Sequence, residues 1–128
     1  MIETAHALTI LAIAGNETSS QSAIRFLKHC EDPDFGFHSV SGARPPFLEH
    51  IHAGVLACLV LGYPSTVLGQ CEEFIRKCCR ENGGYVRSVF GGSATLENTY
   101  LALDAFAMIH DIRLRPKTSG PAPSMEIL

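Results

Sequence analysis

An excess of positive charge is missing from this sequence. Ten lysines and arginines against 13 aspartates and glutamates leave a net charge of −3. The basic residues are scattered, so the chain carries no electrostatic footprint for nucleic acid. Long hydrophobic runs are missing too: the longest, residues 53–63, falls well short of the ~20 residues that a bilayer-spanning helix needs. The amino terminus has Glu3 where a secretory leader carries basic residues, so a cytoplasmic chain is expected. Paired cysteine motifs are absent as well. The five cysteines (Cys30, Cys58, Cys71, Cys78, Cys79) are odd in number and form no CxxC pair with a second ligand pair. Neither a disulfide framework nor a zinc-finger set is therefore indicated. In their apolar contexts these thiols are expected to pack as small hydrophobes.

An apolar fraction of 46% with 18% charged residues belongs to a compact globular chain. At 128 residues it is one domain or a piece of one. Its organising feature is a stretch that occurs three times. Residues 96–110 read LENTYLALDAFAMIH, residues 48–62 read LEHIHAGVLACLVLG, and residues 2–15 read IETAHALTILAIAG. Each opens on Leu or Ile, then a glutamate (Glu3, Glu49, Glu97), then a ring side chain three positions on (His6, His52, Tyr100). An almost unbroken apolar tail follows. Self-similarity of this kind decides the architecture before any local pattern does.

Residues 2–14 form the first expected helix, stopped by Gly15-Asn16. Glu17-Thr18-Ser19-Ser20 supplies cap hydroxyls and an acidic first turn for a second, running to about Cys30. Its apolar positions Ala23, Phe26, Leu27 and Cys30 share one face, while Arg25, Lys28 and His29 take the other. Asp32-Pro33-Asp34 ends it, and a loop through Gly36 and Pro45-Pro46 follows. The second repeated helix begins near Phe47 and stops at Gly62-Tyr63-Pro64. Ser65 is expected to cap an amphipathic helix reaching Arg80, with Val67, Cys71, Phe74, Ile75 and Cys78 turned inward. A loop through Gly83-Gly84 and Gly91-Gly92 leads into the third repeated helix. The helical domain is placed at 1–112. The tail from Arg113, with Pro116, Gly120, Pro121 and Pro123, has too little apolar content to pack, so 113–128 is expected to be flexible.

The second and third copies superpose without a gap at a spacing of 48 residues. Phe26 matches Phe74, Cys30 matches Cys78, Gly36 matches Gly84, Leu48 matches Leu96, and Glu49 matches Glu97. The two helix types demand different burial. The amphipathic ones have a wet face, whereas residues 51–61 are apolar almost all round and need contacts on most sides. The expected fold is therefore all-α. Apolar helices form an inner layer and amphipathic ones an outer layer, through about two and a half repeats.

An amphipathic helix ending in Cys, a Gly-(Phe/Tyr) turn, a Gly/Ser/Pro loop, then Leu-Glu-x-Thr-Tyr and Ala-Leu-x-Ala resembles the repeat of protein prenyltransferase β subunits and terpene cyclases. The stretches that carry it are CEDPDFGFHSVSGARPPFLEHIHAGVLACLVLG and CRENGGYVRSVFGGSATLENTYLALDAFAMI, and it covers roughly residues 2–110. The resemblance implies an α-α toroid, here a partial barrel, around an apolar cavity that holds an isoprenoid chain. An open stack leaves bare edges, so self-association, a partner subunit or a longer parent chain is expected with it.

The same resemblance implies where chemistry would sit. In that family Asp-x-Cys-Tyr at the start of an inner helix supplies two zinc ligands. The matching residues here are Glu97, Asn98, Thr99 and Tyr100, and Thr99 stands in place of the thiolate, so no catalytic metal is expected. The family holds diphosphate with basic residues before that motif, which makes Arg44 and Arg87 the diphosphate candidates; solvated loop arginines are the plainer alternative. His6, His52 and Tyr100 take the ring position that lines the cavity, or else serve as core rings with a hydrogen-bonded tip. Glu49 and Glu97 join them as candidates, although the helix macrodipole alone favours a carboxylate there. His50 and His52 point about 200° apart on a helix and make no joint metal site. The acidic cluster and Gln/Trp repeats of triterpene-type cyclases are absent. The reading is a prenyltransferase-like transferase or binding domain for an isoprenoid or prenyl diphosphate, within a larger enzyme or assembly. The alternative is a non-catalytic helical repeat module for protein–protein interaction.

Overall fold

The computed structural model describes residues 17–38 and 47–115. Helix α1 (Glu17–His29) leads into strands β1 (Glu31–Asp32) and β2 (Gly36–Phe37), then helices α2 (Leu48–Leu61), α3 (Leu68–Lys77) and α4 (Leu96–Leu114). The chain is mostly helical, with one small antiparallel pair of strands in which Glu31 faces Phe37 and Asp32 faces Gly36. The first repeated segment with His6, and the loop residue Arg44, lie outside the described residues.

Helix α2 is the hub. It packs most extensively against α4 and also touches α1, α3 and β2. Its uniform apolarity is consumed by these contacts: Ile51, Val55 and Cys58 are wholly buried. The Ile51 and Val55 side chains each contribute about 1.5–3 kcal/mol of transfer free energy. The helix starts where Phe47 turns extended and its N–H donates to His50 Nδ1 at 3.1 Å. It stops at Gly62, whose φ of 68° is a left-handed conformation that glycine adopts without Cβ strain. Gly54 has a different reason to be glycine. A Cβ there would stand 2.4 Å from the Phe37 ring, so the missing side chain is what lets that ring lie against α2.

The repeat seen in the sequence recurs in the backbone. His38 N–H donates to Cys30 O at 2.9 Å, and Val86 N–H to Cys78 O at 2.9 Å. Glu31 pairs with Phe37 across the first turn, and Cys79 with Tyr85 across the second. Each pair is displaced by the same spacing of 48 residues. The aromatic of the first turn is fully buried on Gly54, while Tyr85 stacks edge-on to Phe106 at 6.5 Å. A short extended pairing at these turns, absent from an all-helical expectation, arises because the tight return brings the two backbone segments within hydrogen-bonding range.

Three features differ from expectation. The helix after Ser65 runs only over Leu68–Lys77. Ser65 Oγ accepts the Val67 N–H at 3.2 Å and donates to Glu31, so it organises the turn ahead of the helix. At the far end, Cys78 O and Arg80 N–H are taken by Val86 and Gly84, which stops the helix before Arg80. Phe26 does not join the core: it is 39% exposed where its counterpart Phe74 is 2% exposed. Helix α3 packs against both α2 and α4, whereas the main helix contact of α1 is with α2. Lastly, Arg113 is no tail residue. Helix α4 continues to Leu114, and Arg113 Nη1 meets Glu72 Oε1 of α3 at 2.7 Å.

Candidate functional site

Two of the expected ring residues meet at the seam between α2 and α4. His52 Nε2 lies 2.7 Å from Asp104 Oδ2, and the His52 and Tyr100 rings are 6.4 Å apart at 42°. Spacing along α2 puts His52, Leu56 and Leu59 on one side, and spacing along α4 puts Leu96, Tyr100 and Ala107 on one side. Leu56 and Leu59 are half-buried, while Leu96, Tyr100 and Ala107 are exposed. The result is an imidazole held by a carboxylate, on two helices that carry these apolar side chains along the same sides. Such a pair orients the ring and gives it a fixed partner for proton exchange with a bound group.

Glu49 and Arg87 also meet, and the contact limits what each can do. Arg87 Nε and Nη2 reach the two Glu49 carboxylate oxygens at 3.2 and 3.4 Å, and its guanidinium carbon lies 3.8 Å from the Phe47 ring centre. The diphosphate candidate is thus already paired with a carboxylate and stacked on an aromatic face. Arg87 is exposed and Glu49 half-buried, so the pair contributes about 1 kcal/mol or less and a stronger anion can compete for it. Glu97 stands exposed in the first turn of α4, away from this pair.

The residues present do not fit zinc. Thr99 Oγ1, at the position of the missing thiolate, donates to Thr95 O at 2.7 Å and accepts the Tyr85 N–H at 3.0 Å. It locks the start of α4 to the preceding turn. Among the described residues no group of three His, Cys, Asp or Glu side chains is placed to hold a metal ion.

An opening lies elsewhere. A cleft of 630 Å³ sits at the other end of the seam, between Cys58 of α2 and Gly62 just past it, Ser65 and Thr66, and Arg113 of α4 and Arg115 just past it. None of His52, Tyr100, Glu49 or Glu97 borders it. Its thiol is inert, since burial pushes Cys58 up to about 12. Behind it Glu31 Oε2 accepts from Tyr63 OH and Ser65 Oγ, both at 2.6 Å. Burial and then the Glu31 carboxylate hold the Tyr63 hydroxyl above its ordinary pKa. Both arginines are engaged: Arg113 with Glu72, and Arg115 Nη1 with Leu59 O at 3.1 Å. This end reads as a structural clasp.

Comparison with protein-family models, curated proteins and solved structures finds no match to this chain. Among the described residues no helix is long and apolar enough to cross a membrane. Asp104 is the site residue that the repeat pattern passes over. The position it fills is Leu56 in the preceding copy, and that break in the pattern was its signal.

Proposed function

We infer that this chain is a segment of an inner/outer helix-pair repeat of the α-α toroid type, and that it binds an isoprenoid chain or prenyl diphosphate. The observation that carries the reading is the His52–Asp104–Tyr100 group at the seam of the two apolar helices, on a helix α4 whose Leu96 and Ala107 are exposed. Apolar side chains left wet beside a fixed polar pair suit a ligand with a long hydrocarbon body and a polar head. Arg87, paired with Glu49 beyond that seam, is the group on hand for a diphosphate. The carbon-chain resemblance of the repeat supports the same ligand class, and the occupied Thr99 position sets the segment apart from the zinc-dependent transfer reaction. A second reading, a non-catalytic protein-interaction module, is favoured by one observation: Leu96 is 88% exposed at the start of α4.

Thermal unfolding with and without farnesyl or geranylgeranyl diphosphate decides between them. Ligand that binds only the folded chain raises stability by about 2.7 kcal/mol at a hundredfold excess over Kd, which reads as a rise of several degrees. Inorganic diphosphate alone is expected to give a smaller rise. No shift at saturating lipid diphosphate rejects the isoprenoid reading.

A further inference from the structure

The cleft at the far end of the seam has the make-up of a ligand site. Its 630 Å³ falls within the range of about 300–1,000 Å³ that small-molecule sites occupy. Leu68 of α3 and Ile112 of α4, both nearly buried, and the exposed Pro64 give it apolar sides. Its polar side chains are few. Ser65 Oγ is already used, accepting the Val67 N–H and donating to Glu31. Thr66, Arg113 and Arg115 are left to meet a guest. The bonds that close the clasp hold both guanidiniums in place without using up their five N–H donors. Arg113 gives Nη1 to Glu72, and its Nη2 lies 4.0 Å from where a Cβ on Gly69 would stand, beside the same cleft. Arg115 gives Nη1 to Leu59 O. Among the described residues its Nε and Nη2 have no partner, and those two N–H groups form the fork that takes a carboxylate bidentately.

We propose that this cleft binds a small monocarboxylate, its carboxylate held by Arg115 with Arg113 and Thr66 alongside, and its apolar body laid on Pro64, Leu68 and Ile112. The charges around the cleft set the guest's own. Glu72 answers Arg113, whereas Arg115 has no carboxylate partner among the described residues. The Cys58 thiol is neutral at physiological pH and brings no negative charge. One negative charge on the guest therefore balances Arg115. A second would meet Glu72 and, behind Ser65, the Glu31 carboxylate, whose Oε2 is already taken by two hydroxyls. The apolar sides favour a guest with a hydrocarbon body over a bare ion, since its burial removes apolar surface from water. The cleft shares no residue with the His52 group or with the Arg87–Glu49 pair, so this binding stands or falls apart from isoprenoid binding.

Titration of the full chain with hexanoate, followed by backbone amide shifts in two-dimensional NMR, tests it. Hexanoate is expected to bind with a Kd of about 1 mM, as its size allows. The amides of Thr66, Leu68 and Gly69 are expected to move, and those of His52 and Tyr100 to stay. Hexanamide has the same body without the charge, and hexyl phosphate at pH 8 carries a second charge. Each is expected to bind about tenfold more weakly than hexanoate, the loss that follows from one charge-assisted bond. Arg115→Gln, at an exposed side chain just past α4, is expected to weaken hexanoate by about the same factor. The comparison of hexanoate with hexanamide is made on the wild type and holds even if the variant folds poorly. Absence of saturable shifts up to about 10 mM, ten times that Kd, overturns the proposal, as do shifts centred on His52 and Tyr100. Equal affinity for hexanamide, or hexanoate binding unchanged by Arg115→Gln, overturns it too. Tighter binding of hexyl phosphate would assign the cleft to a dianion and overturn the monocarboxylate.

Discussion

His50 Nδ1 accepts the Phe47 N–H at 3.1 Å, closing the first turn of α2 with an imidazole where a glutamate or glutamine side chain ordinarily reaches back. Only the unprotonated nitrogen can accept. Burial holds the His50 pKa below the ordinary histidine value, with the Glu49 carboxylate pulling the other way. The unfolded chain therefore takes up this proton at higher pH than the folded one. Stability from this site is whole above about pH 6.5 and is lost as pH falls from there through the lower, folded-state value. His50→Gln keeps an acceptor and does not titrate. Urea midpoints at pH 7.5, 6.5 and 5.5 are expected to fall more for the wild type than for the glutamine variant. Equal slopes would remove His50 from the account.

A second acid-sensitive group acts in a different window. Burial disfavours the Asp32 carboxylate. The Phe35 and Asp34 N–H groups at 2.9 and 2.7 Å, together with His38, outweigh that and lower its pKa. The sign is that of a depressed carboxylate: its contribution is present above the unfolded value near 3.8 and lost as pH falls through the folded one. Asp32→Asn keeps an oxygen for the turn but no charge. It is expected to flatten the stability profile below pH 4 and leave the profile above pH 5 unchanged in shape, which separates it from His50.

Much of this fold can be read in the amino acids, and the failures have physical causes. The repeat spacing, the ends of α2 and the two Gly-aromatic turns follow from apolar period, from Gly62 and from matched residues. Phe26 could not be placed from its face alone, because the match to Phe74 says nothing about how many neighbours each helix has. Ser65 looks like a helix cap because hydroxyls usually are, yet Glu31, distant in sequence, draws it into a turn. At the candidate site the ring positions were legible from repetition. Asp104 was not, since it is a departure from the repeat, and neither was the pairing of Arg87 with Glu49, which depends on a loop returning to the start of α2.

The glycine within α2 offers a direct check on packing. Alanine at position 54 would gain about 1 kcal/mol in helix propensity. Its Cβ would meet the Phe37 ring at 2.4 Å, and that ring is wholly buried. Overpacking a rigid aromatic costs about 1–3 kcal/mol and can cost more, so the clash is expected to win. Gly54→Ala should lower the denaturation midpoint, and Gly54→Ala with Phe37→Leu should recover part of the loss. A single variant more stable than wild type would mean the ring does not lie there.

The thiols separate by exposure. Cys30, Cys58, Cys71 and Cys78 are buried, and Cys79 is exposed. Burial also raises the pKa of the first four, that of Cys78 to about 11. Attack on an alkylating reagent needs thiolate and access together. Brief iodoacetamide treatment of the native chain, read by intact mass, is expected to add one label at Cys79. All five are expected to react in denaturant. Rapid native labelling of Cys58 or Cys71 would show that the α2–α3 core opens readily.

The bond between His52 and Asp104 joins helices distant in sequence, so its strength measures how firmly the α2–α4 seam is set. Asp104 is 36% exposed and His52 16%, which puts the pair between a surface contact and a buried one. Its coupling should therefore be about 0.5–1.5 kcal/mol, above the median for exposed pairs. A double-mutant cycle with His52→Ala, Asp104→Ala and both, followed by urea unfolding, isolates that term. Coupling below about 0.3 kcal/mol, within the scatter of independent sites, would mean the two side chains do not hold each other in solution. Asp104→Leu adds a second arm, since leucine restores the residue found at Leu56. It leaves the largely buried imidazole without its carboxylate and should destabilise the chain. If the leucine variant proved more stable, apolar contact along the seam would outweigh the lost bond. The polar pair would then sit at α2–α4 at a cost to folding, as expected of a group kept for what it binds.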